Sequence, residues 1–332
     1  MLVGRMITND FNHARYRPGH KAGHYESYFQ RANHPTKPQA FWIRYTVFSP
    51  ARRPAEAVGE LWAIVFDRDR DLRITAKSEV PVRDCLFAAD RFEVRIGEVT
   101  LREGALAGCA GVRPQEMAWD LRNEGGGPPV FDLPLDRYAA NFPKAKALVG
   151  APMAKFSGVI ALNGTPIEIR EWVGSQNHNW GSRHTDSYVW GQVCGFDNAP
   201  ASFLEIASVR LKIGPVWSPT ITPMVLRHRG NEYSWNSISQ GLRTRSAYRP
   251  FSWRFAASDR RTRIEGELRA LESDFVELGY RNPPGGEKTC LNSKLASCAM
   301  RLTDIATGRV ETLNAAHRAA FEILTDKQRN AG

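Results

Sequence analysis

The sequence predicts an all-β protein built as two consecutive antiparallel β-barrels, with one short helix at the C-terminal end. Three observations carry this. Short runs of β-branched and aromatic residues recur along the 332-residue chain, separated by Gly, Pro and Asn turn signals. Helical periodicity shows in one late segment alone. The strand pattern fades over Gly125-Gly126-Gly127-Pro128-Pro129 and residues 134–152, then restarts at Lys155, which divides the chain into domains 1–150 and 151–332. Closing each half on itself removes exposed sheet edges, and a barrel of about eight strands encloses one small ligand.

Taken in order, residues 1–40 are polar and rich in Gly, Pro and His, and are expected to lie across the surface of the later strands, with a first strand starting near Tyr25. Residues 41–48 are almost wholly aromatic or β-branched and stop at Ser49-Pro50. Strands over 59–67 and 71–80 come next, joined at Arg68-Asp69-Arg70, with Leu72, Ile74 and Ala76 alternating. Shorter strands are expected at 91–96, 98–101, 117–121 and 130–133. In the second half, strands 156–162 and 165–173 flank Asn163-Gly164, the strongest two-residue hairpin signal. Eight more strands are expected at 188–196, 203–213, 222–229, 232–237, 247–256, 263–271, 275–280 and 293–303. Residues 314–328 place Ala316, Ala320, Phe321 and Leu324 at helical spacing, which predicts the helix.

Composition narrows the function. The formal net charge is +10, but the Arg residues are dispersed, and the densest group is Arg260, Arg261 and Arg263. Nucleic-acid binders gather charge into a patch, so that partner is disfavoured, whereas peripheral contact with an anionic membrane or an acidic ligand stays compatible with the charge. Five scattered cysteines, Cys85, Cys109, Cys194, Cys290 and Cys298, form no Cys-x-x-Cys pair and suggest reduced thiols in a cytoplasmic protein. The first 25 residues carry Arg5, Asp10, Arg15, Arg17 and Lys21 without a secretory apolar block, and no apolar run reaches the roughly 18 residues of a spanning helix. No phosphate-cradling Gly loop or Gly-x-Ser-x-Gly elbow occurs, so no organic cofactor is expected. His178 and His184 are spaced for neither one strand face nor one helix face, so no metal is expected either.

The candidate site lies in residues 172–192, which hold Trp172, Gln176, Asn177, His178, Asn179, Trp180, His184, Asp186, Tyr188, Trp190 and Gln192. Period-two alternation puts Asp186, Tyr188, Trp190 and Gln192 on one strand face. Each buried polar atom left unpaired costs about 1–3 kcal/mol, so such a face implies mutual bonding, a ligand, or both.

These residues, together with Phe41-Trp42-Ile43-Arg44-Tyr45-Thr46 and Phe66-Asp67, resemble the two-domain lipocalin-like (calycin) superfamily of hydroxyneurosporene synthases (carotenoid hydratases), AttH-like and tocopherol cyclase-like proteins. The resemblance covers roughly residues 25–315, and its compact motif is His178-Asn179-Trp180-Gly181. It implies two lipocalin-like barrels, a ligand cleft at or near their junction, and hydrophobic isoprenoid-like ligands. It also implies that His178, Trp180 and Tyr188 belong to the site. One position departs: Trp190 stands where the hydratase pattern has an Asp, and the nearest acid, Asp186, precedes Tyr188.

Acid-assisted hydration or cyclisation of an alkene needs a proton donor, a dry cavity and aromatic faces for the carbocation. Asp186 or Glu171 is the candidate donor, His178 the relay, Tyr188 a further catalytic group, and Trp172, Trp180 and Trp190 the faces. Gln176, Asn179, His184 and Gln192, with Trp42 and Arg44 on the earlier strand, complete the candidate ligand-binding set. An Arg44 that faces inward needs a carboxylate such as Glu26 or Glu60, and one that faces outward is solvated. A non-catalytic lipid carrier or stress-related lipid-binding protein would use the same pocket. The motif equally suits a structural corner, or a partner-binding module, in which its amides and imidazole satisfy loose backbone groups.

Overall fold

A computed structural model describes residues 10–326. It is 63% strand and 6% helix, and its contacts divide into two compact units. The first holds the described residues up to His184 together with Arg281–Glu287, and the second holds Thr185–Tyr280 and the chain from Lys288 onward. The break therefore falls after His184, not near residue 150. The Gly/Pro-rich stretch that suggested the earlier boundary is a connection within the first unit. The long strand after it pairs on both sides with strands of that unit.

The first unit contains β1 His24–Asn33, β2 Gln39–Ser49, β3 Val58–Asp67, β4 Leu72–Pro81, β5 Cys85–Phe87, β6 Glu93–Ile96, β7 Val99–Arg102, β8 Ala105–Ala110, β9 Met117–Gly125 and β10 Val130–Phe131. A short helix α1 Leu135–Ala139 precedes β11 Ala145–Leu162 and β12 Thr165–Gly181. The sheet runs β4-β3-β2-β1-β12-β11-β9-β8-β7-β6-β5, with β10 on β11. Its first strand thus bonds its last, in register from Tyr25↔Gly181 to Asn33↔Val173. The two far ends of the sheet approach through side chains: a Cβ at Gly59 would lie 2.6 Å from Cys85 Sγ, and the Gly111 amide donates to Ser78 Oγ at 3.0 Å. The barrel is nearly closed.

Alternation fills its interior. Phe41, Ile43 and Tyr45 of β2 meet Leu61, Ala63 and Val65 of β3, with Trp119, Phe156 and Trp172, and each such side chain contributes about 1.5–3 kcal/mol by leaving water. The Asn163-Gly164 turn forms as expected, both residues at positive φ (50° and 89°). Register shifts in β11 between Val149 and Ala151, Pro152 and Ala154, and Phe156 and Gly158 bend the long β11–β12 pair around the core.

The second unit repeats the plan with β13 Ser187–Phe196, β14 Ala199–Arg210, β15 Lys212–Ile213, β16 Val216–Trp217, β17 Met224–His228, β18 Asn231–Ser234, helix α2 Ile238–Arg243, β19 Arg245–Arg249, β20 Ser252–Ser258, β21 Thr262–Arg269, β22 Val276–Arg281, β23 Glu287–Asp304 and β24 Val310–Thr325. The order β18-β17-β14-β13-β24-β23-β21-β20-β19 again joins the first strand to the last, and the sheet forms a half-barrel. The expected strand over 247–256 is two strands around a turn at Pro250-Phe251. The expected helix over 314–328 is instead most of β24, its last two positions lying outside the described residues. Leu313, Ala315, Ala319, Phe321 and Ile323 all pack in the second core, an alternation that four interspersed alanines disguise as a helical pattern. Among the described residues no helix is long and apolar enough to cross a membrane.

Candidate functional site at the end of the first barrel

Register places Trp172, Gly174, Gln176, His178 and Trp180 of β12 on the inward face, opposite Glu26, Tyr28, Gln30 and Ala32 of β1. The interior is therefore apolar at one end and polar at the other. At the polar end Glu26 is fully buried, and its carboxylate accepts from the Arg15 and Tyr16 amides (both 2.7 Å), His178 Nε2 (2.8 Å), His24 Nε2 (3.1 Å) and the Tyr28 phenol (3.2 Å). Burial alone would raise its pKa, but the bonds to His178 and His24 outweigh that and hold it at about 2. The same burial, with the Glu26 charge beside it, drives the Tyr28 phenol well above its usual range.

His178 has little freedom. Its Nδ1 donates to the Phe11 carbonyl at 2.7 Å, its Nε2 faces Glu26, and its ring lies 4.2 Å from that of Tyr28 and 4.6 Å from that of Trp180. Residues 10–16 thus cross the barrel end as a strap, tied down at Phe11, Arg15 and Tyr16; of the polar segment expected over 1–40, residues 1–9 lie outside the described residues and 24–33 are the strand β1. Trp180 is buried against Tyr138 of α1 and Leu148 of β11, with Phe11, Phe131 and Leu133 around it, and the Arg15 guanidinium stands 5.7 Å over its ring.

Beside this saturated node lie polar atoms without partners. Neither amide atom of Gln30, which is 0% exposed, has a hydrogen-bond partner among the described residues. Its cross-strand neighbour Gln176 accepts from Asn12 Nδ2 at 2.9 Å but leaves its own Nε2 unpaired, and Asn12 Oδ1 is unpaired too. A Cβ at Gly150 would sit 2.1 Å from Gln176 Oε1, so only glycine leaves this amide pair its place. One carboxyl here escaped the sequence reasoning. Asp132 follows β10 between Phe131 and Leu133, burial pushes it up to about 7, and its Oδ1 has no partner among the described residues. No motif marked it: its flanking residues Phe131 and Leu133 pack against Trp180, and burial is what makes it unusual.

The other expected site residues fall elsewhere. Trp172 is core, its ring 6.0 Å from that of Phe41. Asn179 points to the opposite face of β12, and its Oδ1 has no partner. His184 stacks on Tyr25 at 3.9 Å and bonds residues 281–282, a structural role. Trp42 and Arg44 face away from the first core, yet both are buried: Trp42 lies 6.1 Å from Phe29, and Arg44 donates to Ser27 Oγ at 2.7 Å. Neither a solvated Arg44 nor an Arg44–Glu26 pair survives, because Glu26 is on the other face, and Glu60 takes Arg281 instead. Glu171 is 64% exposed on its side chain and pairs with Lys155, so it is no buried acid.

In the second unit Tyr188, Trp190 and Gln192 do share a face, opposite the core. Asp186 precedes the strand, and its carboxylate accepts the Lys212 amide at 2.8 Å, which makes it a cap. Tyr188 donates to Glu322 at 3.3 Å, Glu322 also takes Asn292 (2.9 Å) and Lys294 (2.7 Å), and Trp190 and Gln192 both donate to Glu205. His178 thus belongs to the first unit, and Asp186 and Tyr188 to the second.

No protein-family model matches the chain. The chain is similar to the uncharacterized proteins MT0513 and Rv0493c of Mycobacterium tuberculosis, each 23% identical over 287 residues, or 85% of this chain and 82% of theirs. Among solved structures, an AttH-like protein of Nitrosomonas europaea superposes with a TM-score of 0.61 at 13% identity, covering 94% of this chain and 97% of that one. Kievitone hydratase of Nectria haematococca gives 0.57 at 9% identity (92% and 89% covered), and CghA, solved with Sch210972, gives 0.57 at 12% (92% and 88%). The chain has the lipocalin-like, AttH-like fold.

Proposed function

We propose that this protein binds a hydrophobic, isoprenoid-like or lipid-like small molecule carrying one oxygen function, at the strapped end of the first barrel. The carrying observation is the pair of buried carboxamides, Gln30 and Gln176, whose unpaired donors and acceptor point into an interior otherwise built from Tyr28, Ile43, Phe156 and Trp172. Evolution of a plain core would favour apolar groups there, since each unpaired atom costs about 1–3 kcal/mol. A ligand hydroxyl or carbonyl offsets that cost while its apolar body replaces water on aromatic faces. A hydratase and a protein solved with a small molecule share the fold, which is consistent with this use.

Asp132 favours a catalytic reading as well. A carboxyl pushed up to about 7 holds its proton near neutral pH, and its neighbour Phe131 packs in a cluster whose other aromatic groups are Trp180, Tyr138 and Phe11. Acid-assisted hydration or cyclisation of an alkene needs that combination, with Asp132 as donor in place of Asp186 and His178 as an orienting group. The test is titration with geranylgeraniol, read by native mass spectrometry, followed by incubation in oxygen-18 water. Gln30→Leu is expected to weaken binding about tenfold, which corresponds to about 1.4 kcal/mol. Asp132→Asn should keep binding and abolish label incorporation. Binding with neither label incorporation nor a cyclised product from the parent protein would establish a carrier, and unchanged binding in Gln30→Leu would refute the site.

A further inference from the structure

The second unit carries an unusual exposed tip. Residues 210–218 read Arg-Leu-Lys-Ile-Gly-Pro-Val-Trp-Ser and form the small hairpin β15–β16, paired Lys212↔Trp217 and Ile213↔Val216. The turn Gly214-Pro215 puts its apolar side chains at the apex: Ile213 is 66% exposed, Val216 65% and Trp217 37%. Three large apolar side chains in five positions are not the scattered exposure of an ordinary surface. The hairpin is also held in shape. Asp186 accepts the Lys212 amide, Ser218 Oγ accepts the Leu211 amide at 2.9 Å, and the Ser218 amide donates to the Leu211 carbonyl at 2.8 Å. The tip therefore needs no ordering when it binds something.

Its rim is cationic. Arg210 lies 5.1 Å over the Trp217 ring, and Lys212 is exposed at the base of the apex. Beside the hairpin, Val209 bridges Ile221, and the next residue, Thr222, donates to Gly241 of α2 at 2.9 Å. Gly241 is followed in the chain by exposed Leu242, Arg243 and Arg245. Asp186 accepts the Lys212 backbone amide at 2.8 Å. An apolar apex with an indole at its edge and a collar of Arg and Lys matches the layers of a bilayer surface: acyl boundary, interface and anionic headgroups.

We infer that the β15–β16 hairpin docks the protein on anionic membranes, with Ile213, Val216 and Trp217 entering the interface and Arg210, Lys212 and Arg243 meeting lipid phosphates. This docking surface shares no residue with the ligand site, because it uses none of the first unit. Its test is co-sedimentation of the full chain with phosphatidylcholine vesicles, with and without phosphatidylglycerol. Binding is expected with phosphatidylglycerol and should weaken as salt rises. The double variant Ile213→Ser/Val216→Ser should lose it roughly tenfold or more, while Lys212→Glu should abolish the preference for anionic lipid. Both variants should keep the parent's unfolding temperature and its geranylgeraniol titration, since the hairpin is exposed. Equal sedimentation of parent and double variant, or none by the parent, overturns the inference. So does a concentration-dependent dimer, seen by sedimentation velocity, that the double variant abolishes, because the tip would then serve a second copy of the chain.

Discussion

Glu26 contributes to the acid limit of stability from inside the first core. Its carboxyl lies at about 2 in the fold against 4.5 ordinarily, so the stability it contributes is present above about pH 4.5 and lost as pH falls toward 2. The difference corresponds to about 3 kcal/mol. Glu26→Gln is expected to lower the unfolding free energy at pH 7 by about 3–5 kcal/mol, the cost of stranding one partner of a buried pair, and to flatten the acid limb in urea melts taken between pH 2 and 5. Asp132 acts with the opposite sign. Its folded value of about 7 lies above the ordinary 3.8, so its contribution is present below about pH 3.8 and lost as pH rises through 7. Asp132→Asn should therefore raise the melting temperature at pH 8 and leave it nearly unchanged at pH 4. Of these residues, His178 and Trp180 were visible in the sequence because they form a compact motif. Glu26 was visible only as a partner offered to Arg44, since whether it faces in or out depends on register. Asp132 had no signature, because its environment is assembled from α1, β10 and the Trp180 cluster.

Among the elements, β12 is a strand that admits little change. A Cβ at Gly174 would lie 1.7 Å from the Arg31 carbonyl of β1 and one at Gly181 would lie 2.3 Å from the Lys144 carbonyl, so backbone approaches side-chain space on both flanks. Gly174→Ala must spread the β1–β12 ladder that joins the two halves of the sheet, and a loss of more than about 3 kcal/mol is expected in chemical denaturation. Gly230, at φ 75° with nothing within 4 Å, serves as the comparison, where the cost is that of backbone strain alone. The hairpin between β11 and β12 was legible in Asn163-Gly164, and β2 in its unbroken β-branched and aromatic run, because both signals are local. β24 was not. Its alanines fit a helix as readily as a strand, and what decides is the pairing of Tyr188↔Leu324 through Val193↔Ala319, a contact between distant segments. Phe321→Ala removes a core ring of that strand and should cost about 3–5 kcal/mol.

At the scale of the whole molecule, the chain passes between its units three times, after His184, after Tyr280 and after Glu287. The middle passage returns Arg281–Glu287 to the first unit as a strap across β2 and β3. Arg281 donates to Glu60 at 3.0 Å, pairs with Glu79 at 3.2 Å and lies 4.7 Å over the Phe48 ring, while Asn282 accepts the His184 amide and Pro283 accepts the Ala51 amide at 2.8 Å. No local pattern announces such a return, which is why the sequence placed a boundary near residue 150. The Ala51 amide reports on the strap, since its acceptor lies more than two hundred positions along the chain and belongs to it. Arg281→Ala removes both ion pairs and the cation over Phe48 without touching that bond. Because the Arg281 side chain is partly exposed, its pairs are worth little individually, on the order of 1 kcal/mol together. Hydrogen exchange at Ala51 is therefore expected to quicken about fivefold, with exchange in the β13–β24 ladder unchanged. Equal acceleration in both places would mean that the strap holds the whole chain's stability and not one unit's.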